Sequence, residues 1–282
     1  VVPLLVVALL KLLLPFAPLR RLGNRVLTAI AESWIGVNNA LWRSAVNTPV
    51  QLSGDEGLRR DGHYLVLANH QSWVDILVMQ KVLNRRIPLM RFFLKRQLIW
   101  VPLLGLAWWA LDFPFMGRYT PKQIARNPQL AGRDIEATRR ACAKFRDQPI
   151  AIMNFAEGTR YTAAKHTAQQ SPWPHLLKPK AGGVAFVLNS MGDGLAAILD
   201  LSIAYPGGIP TLLDLIAGRI PEIRIHIRER PIPAELAAGD YQRDRALRVR
   251  FQQWMNGLWQ DKEAELAALL HDSSAPPSNA RK

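Results

Sequence analysis

The chain has 282 residues, with 36 Lys and Arg against 22 Asp and Glu, a formal net charge of +14 and one cysteine. A single cysteine excludes an intrachain disulfide and fits a reducing compartment. The basic excess calls for a polyanionic partner: nucleic acid, anionic lipid or an acidic carrier. Nucleic acid is the weaker of these, because no nucleic-acid module is recognisable and the arginines are scattered from Arg20 to Arg250. Trp100, Trp108 and Trp109 stand in apolar segments, where tryptophan serves a core or a membrane interface more often than base stacking.

In chain order, Val1 to Leu19 is almost wholly apolar, broken by Lys11, Pro3, Pro15 and Pro18, and stops at Arg20-Arg21. At about 19 residues it is marginal for a spanning helix, which needs roughly 20. No Ala-x-Ala site directly follows its end at Leu19, where Arg20-Arg21 stands instead, which argues against a secretory signal peptide. Leu22, Val26, Leu27, Ile30, Trp34, Val37 and Leu41 recur at helical spacing and predict an amphipathic helix over Leu22–Trp42. Its apolar face suits a membrane interface or packing on the domain itself, and both readings stand at this point. Strand candidates are Tyr64–Ala68, Ile150–Phe155, Ala197–Ala204 and Glu222–Ile227. Helices are expected at Asp75–Leu83, Asp134–Arg146, Gly183–Leu188 with its extension, and Asp240–Leu270. Such alternation predicts an α/β fold, a mixed and largely parallel sheet flanked by helices, preceded by N-terminal membrane-associated helices. The expected division is 1–50 for membrane-anchoring helices, 51–271 for one catalytic domain and 272–282 for a polar, proline-containing disordered tail.

Two stretches carry the chemistry. Asn69-His70-Gln71-Ser72-Trp73-Val74-Asp75 follows the first strand, and Asn154-Phe155-Ala156-Glu157-Gly158-Thr159-Arg160 follows the second. On one continuous helix, residues five apart point about 140° away from each other at 100° per residue. His70 therefore belongs to a loop, with Asp75 in the first turn of the next helix. Ser72 to Asp75 reads as an N-cap with its capping-box partner. A neutral imidazole oriented by a carboxylate can take a proton from an attacking hydroxyl. Asp75 as a plain helix cap, with His70 a satisfied loop histidine, is the alternative. An ion pair between Glu157 and Arg160 is the corresponding alternative for the second stretch.

These motifs, at this order and spacing, resemble the glycerolipid acyltransferases, the 1-acylglycerol-3-phosphate (lysophosphatidic acid) acyltransferases. That family is marked by Asn-His-four residues-Asp and by Phe-Pro-Glu-Gly-Thr-Arg. The first is complete here, and the second has Ala156 where proline is usual. Between them, Lys95-Arg96-Gln97-Leu98-Ile99-Trp100-Val101-Pro102-Leu103-Leu104-Gly105 to Phe115-Met116-Gly117-Arg118 is similar to a third family block. Leu176 to Gly183 and Ile198 to Tyr205 resemble the branch that holds lysocardiolipin acyltransferases and their bacterial YihG-type relatives. The resemblance runs from about Asp55 to about Pro233.

The resemblance implies a glycerol-phosphate acyltransferase-like fold with His70 as general base and Asp75 as its orienting partner. It implies Arg118 and Arg160 on the acceptor phosphate, joined by the backbone N–H of Gly158 and the hydroxyl of Thr159. Glu157 would position Arg160 or the glycerol hydroxyl, and Lys95 is a further candidate for an anionic part of a substrate. No acyl-enzyme is implied, and the sequence has no Gly-x-Ser-x-Gly elbow; Cys142 sits in an amphipathic stretch. No metal site and no cofactor are expected, since the six His are dispersed and no His-Glu-x-x-His occurs. The implied partners are acyl-CoA or acyl carrier protein as donor, a lysophospholipid as acceptor, and membrane lipid, with no nucleic acid. The implied acceptor is 1-acylglycerol-3-phosphate, giving phosphatidic acid, with lysocardiolipin as the alternative. A basic membrane- or nucleic-acid-binding protein is the non-enzymatic reading. The Arg20-Arg21-Arg25 cluster places the following domain on the cytoplasmic face of the inner membrane, by the positive-inside tendency.

Overall fold

The computed structural model describes residues 2–13, 16–46, 48–117, 119, 121–127, 129, 132, 136, 149–191, 194–237, 239, 241 and 243–271. The expected helix Asp134–Arg146 apart from Glu136, together with Cys142, Arg118 and the tail 272–282, falls outside these residues.

The described strands are β1 Val50–Ser53, β2 His63–Ala68, β3 Met90–Phe92, β4 Leu94–Lys95, β5 Phe115–Met116, β6 Ile150–Asn154, β7 Ala197–Ala204 and β8 Ile223–Arg230. The helices that position the site are α1 Val2–Leu13, α2 Ala17–Leu41, α3 Val74–Leu83, α4 Leu104–Ala110, α5 Pro121–Arg126, α6 Ala163–Gln169, α7 Ala181–Met191, α8 Leu212–Ile216, α9 Ala234–Ala237 and α10 Arg245–His271. Six strands form one sheet in the order β1-β8-β7-β2-β6-β3, parallel at every pairing except the antiparallel β7–β8. The mixed, largely parallel sheet expected from the sequence is thus present. Its central strands β7, β2 and β6 are mostly apolar and buried, as coverage on both faces demands.

Alternation along those strands sorts side chains to two cores. Leu65, Leu67, Ile150, Ile152 and Ile198 meet α7 and α10 on one face. Val66, Ala68, Ala151, Met153 and Leu199 meet Val74, Val78 and Met79 of α3 on the other. Asp200 is the buried charge of β7; Lys262 of α10 lies 2.5 Å from its Oδ1 and Arg230 Nε donates to its Oδ2 at 2.9 Å. Two cations on one carboxylate seat α10 beneath the sheet and extend β8 past Ile227, where the apolar pattern ends, to Arg230. The last helix starts at Arg245 rather than Asp240, with Asp244 Oδ1 accepting from Leu247 N at 3.0 Å. The short strands β1 and β3 carry no alternation long enough to read, and they form the two edges of the sheet.

At the N-terminus the apolar run, marginal in length for a spanning helix, forms a helix over Val2–Leu13. No helix among the described residues is long and apolar enough to cross a membrane. The apolar run supplies a helix of only 12 residues, about 18 Å at 1.5 Å per residue against a hydrocarbon core of about 30 Å. Lys11, in the last turn of this helix, pairs with Asp112. Leu4 and Ala8 of α1 and Leu27, Ala31 and Ile35 of α2 form a third core with Leu89, Ala107, Ala110, Leu111 and Phe113. Buried Glu32 of α2 accepts from Arg60 at 2.5 Å, and Asn84 past α3 donates to its carbonyl at 3.2 Å. The two helices are therefore keyed into the α/β domain.

Candidate active site

Register puts the two sequence motifs side by side. In the parallel pairing of β2 with β6, Leu67 lies opposite Asn154, so the loops after Ala68 and after Asn154 leave the same edge of the sheet. β7 also runs parallel to β2, with Ala68 opposite Leu201, and brings Tyr205 to that edge. The carboxyl ends of parallel strands are where α/β sheets place ligands, because the loops there diverge and leave a crevice.

Asn69 is buried and fastens the first loop to β7: its Nδ2 donates to Ile203 O and its Oδ1 accepts from Ile203 N, both at 2.9 Å. His70 Nδ1 lies 2.9 Å from Asp75 Oδ2. A buried carboxylate there assigns the proton to Nδ1 and leaves Nε2 as the free base. The ring stacks on Phe155 with centroids 3.8 Å apart and planes inclined by 14°. Asp75 Oδ2 also accepts from Gln71 N at 2.7 Å and Ser72 N at 2.9 Å, and its Oδ1 accepts from the Tyr205 hydroxyl at 2.6 Å. The expected capping box forms by half. Asp75 reaches back to Ser72 N, but Ser72 Oγ accepts from Val74 N at 3.1 Å and donates to Pro210 O at 2.6 Å. So Asp75 ties down the loop that leads into α3 and also holds the imidazole.

The second motif is a tight turn, closed by Gly158 N donating to Phe155 O at 2.9 Å. Gly158 has φ +71°, a left-handed value that glycine adopts without a Cβ penalty, and Lys180 lies over it. Its N–H, expected to face a phosphate, is thus engaged inside the turn. Ala156 is buried, and its carbonyl accepts from Lys180 N at 2.8 Å. Glu157 is buried as well, and each oxygen takes a backbone N–H: Oε1 from His70 at 3.0 Å and Oε2 from Leu177 at 3.1 Å. The carboxylate expected to position Arg160 or a glycerol hydroxyl instead ties the His70 loop to the segment before α7. Burial pushes its pKa up to about 8 and the nearby Asp75 charge adds to this; the two N–H groups and Lys262 pull it down. Tyr161 N donates to His70 O at 2.7 Å, a second tie between the loops.

Thr159 Oγ1 accepts from Lys165 Nζ at 2.8 Å, and the same ammonium donates to Arg160 O at 2.9 Å. The Arg160 guanidinium lies over the exposed Trp73 ring, 4.8 Å from its centroid. His70, Asp75, Glu157, Gly158, Thr159 and Arg160 are therefore one assembly. Lys95 stands apart on the small β4–β5 ribbon, opposite Met116, and lines a hollow of about 320 Å³ with Arg96, Trp100 and Tyr119. None of that hollow's described lining residues belongs to the His70 loop or the Glu157 turn. Among the described residues no group of three or more His, Cys, Asp or Glu is placed to hold a metal ion.

Sequence reasoning passed over Tyr205, Phe155, Trp73 and Lys165. Tyr205 carried one usable signal: it directly follows a predicted strand, as His70 nearly does. Lys165 and Trp73 reach the turn through side-chain placement that no spacing rule encodes.

The chain belongs to the acyltransferase family, whose model matches residues 49–204. Among known proteins it is similar to the 1-acyl-sn-glycerol-3-phosphate acyltransferase gamma of Mus musculus, 27% identical over 72% of this chain and 52% of that protein. It is also similar to lysocardiolipin acyltransferase 1 of Gallus gallus, 26% identical over 89% of this chain and 66% of the relative. This chain thus spans about half to two thirds of the length of these relatives. The crystal structure of the 1-acyl-sn-glycerophosphate acyltransferase PlsC from Thermotoga maritima has the same fold, with a TM-score of 0.54 over 93% of this chain and 87% of that one, at 16% identity.

Proposed function

We propose that the protein transfers a fatty acyl group from an acyl thioester to the free hydroxyl of a lysophospholipid, with 1-acylglycerol-3-phosphate as acceptor. The observation that carries this reading is the His70–Asp75 pair at 2.9 Å, set at the carboxyl edge of the sheet beside the Arg160 turn. His70 Nε2 takes the proton of the attacking hydroxyl as its oxygen bonds to the thioester carbonyl. The carbon–sulfur bond then breaks, and the thiolate recovers the proton from the imidazolium. Asp75 holds the tautomer and offsets the positive charge on the ring. Arg160, with Arg118, binds the acceptor phosphate, for which a planar guanidinium fork is suited. The donor is acyl-CoA or acyl carrier protein, and both are acidic partners for a chain of net charge +14.

Residues 51–271 form the catalytic unit in this reading, and 1–50 hold it at the cytoplasmic face of the inner membrane by lying in the interface. Support comes from an exposed apolar stripe along α2, Leu22, Val26, Trp34, Val37 and Leu41, and from exposed Val2, Val6, Leu9 and Leu13 on α1. Reacylation of a larger lysophospholipid is the second reading. It is favoured by the alignment with lysocardiolipin acyltransferase 1, which covers 89% of this chain. Purified protein offered a panel of lysolipids with each donor, with products identified by mass spectrometry, separates the acceptors. Absence of thioester consumption in every combination would defeat both readings.

A further inference from the structure

The Asp75 carboxylate is gripped from both sides. Its Oδ2 faces His70 Nδ1 and two backbone N–H groups, and its Oδ1 accepts from the hydroxyl of Tyr205 at 2.6 Å. Tyr205 is buried just past β7, in the core that includes Val74, Val78 and Leu201. Burial, the Asp75 charge and the hydrogen bond to it all push the phenol well above its ordinary pKa, so it stays protonated and is a permanent donor. Three more bonds run between the same stretches, two joining Asn69 and Ile203 and one from Ser72 to Pro210. Residues 203–210 thus lie as a splint along residues 69–75.

We propose that Tyr205 is a positioning residue for the His70–Asp75 pair, fixing the rotation of the carboxylate and moderating its charge towards the imidazole. The proposal rests on the reading of His70 as the base. Torsion about the bond to a carboxylate is broad, so a partner on each oxygen is what defines its plane. With Oδ1 unpartnered, the carboxylate keeps its charge beside the ring but its plane is no longer fixed, so the hold on one imidazole tautomer loosens. The hydroxyl also disperses negative charge. Without it, the carboxylate favours the imidazolium more strongly, and a higher pH is needed to free Nε2. The other charged groups near the pair are Glu157 on the turn after β6, Lys262 of α10 beyond it, and Arg160 over Trp73. None of these is altered by removing one phenolic oxygen.

The test is Tyr205→Phe in the full chain, which keeps the ring in its core and deletes only the donor. With an acyl-CoA and 1-acylglycerol-3-phosphate in detergent micelles, kcat should fall about tenfold to a hundredfold, with KM for each substrate within about twofold. The acid limb of the kcat/KM pH profile should move to higher pH. A residue that merely braces the fold would lower the melting temperature and leave kcat and the acid limb unchanged, and that result overturns the proposal. Nitrogen-15 NMR of labelled histidine provides a readout independent of turnover. His70 should be held as the Nδ1–H tautomer in the wild type and become a mixture in the variant. An unchanged spectrum also overturns the proposal. Should His70→Ala prove active while the NMR response to Tyr205→Phe is present, the base reading fails and the positioning stands. If Tyr205→Phe does not fold, 3-fluorotyrosine at position 205 keeps the hydroxyl and makes it a stronger donor. The acid limb should then move to lower pH, and an immobile limb counts against the proposal.

Discussion

The sheet edge around His70 and the paired helices α1 and α2 handle apolar runs in opposite ways. In β2 the run Leu65-Val66-Leu67 is wholly enclosed, and the polar residues that follow find donors and acceptors within the chain: Asn69 on Ile203, Asp75 on Tyr205, Glu157 on His70 and Leu177. In α2 one face, with Leu27, Ala31 and Ile35, is buried, while Trp34 on the other is 66% exposed and Val37 and Leu41 are nearly as open. The first region is closed on itself and rigid, as a site that must hold an imidazole within hydrogen-bonding distance has to be. The second has apolar surface left over, and contiguous surface of that kind marks contact with another apolar phase. One face of this amphipathic helix packs on the domain, and the membrane contact proposed for the other face is compatible with that packing.

The sharpest way to break this comparison is at the closed region. His70→Ala should lower turnover by about two to four orders of magnitude with the fold intact, as loss of a general base does. Asp75→Asn should cost as much or somewhat less. Near-normal thioester consumption by His70→Ala would refute the chemistry proposed for this edge. At the open region, Trp34→Ser combined with Leu41→Ser should weaken co-sedimentation with anionic liposomes by about tenfold or more, since each large apolar side chain contributes on the order of 1.5–3 kcal/mol when buried. Activity on micelles should be little changed. Equal partitioning of variant and wild type would show that the stripe is not a membrane face. Substitution is a cleaner test than deleting residues 1–46, because Leu27, Ala31, Ile35 and Glu32 are part of the domain's own packing.

Smaller effects sharpen the picture between the two regions. Arg160→Lys keeps the charge but loses the planar fork and its stacking on Trp73. KM for the lysolipid should rise about tenfold, the worth of roughly 1.4 kcal/mol, with the donor KM nearly constant. Equal rises for both substrates would argue for a purely structural arginine. The smallest effect near neutrality is expected from Glu157→Gln. Burial raises the pKa of Glu157 to about 8, so the charge lost on exchange is small near neutrality. The main cost is the one backbone N–H, of His70 or Leu177, that an amide nitrogen cannot accept, roughly 1 kcal/mol. The pH dependence carries the signature. Between the ordinary value of 4.5 and about 8 the folded chain holds a proton that the unfolded chain releases. This group's contribution to stability is therefore greatest below that window and is lost as pH rises through it. Melting curves from pH 5 to 9 should show this decline in the wild type relative to Glu157→Gln. Parallel profiles would mean that Glu157 is ionised throughout.

Much of this molecule was legible in the residue order, because the physics involved is local. Short apolar runs such as Tyr64 to Ala68 read as buried strands, and β2 lies where that reading expects it, inside the sheet with both faces covered. The five-residue spacing from His70 to Asp75 excludes a single helix face and so placed the pair at a loop–helix junction, where it is found. What the order of residues could not convey are relations that depend on which strands become neighbours. Glu157 looked like a substrate-facing carboxylate until the β2–β6 register laid it against His70 N and Leu177 N. Tyr205, 130 residues from Asp75, became its partner only because β7 runs parallel beside β2. Lys11 reads as a charge interrupting a membrane segment, yet it pairs with Asp112 in a contact 101 residues distant. Backbone propensity and hydrophobic period act over a few residues, and the sequence determines them directly. Hydrogen-bond partners across a sheet edge are chosen by packing, and only the folded chain decides which polar group meets which.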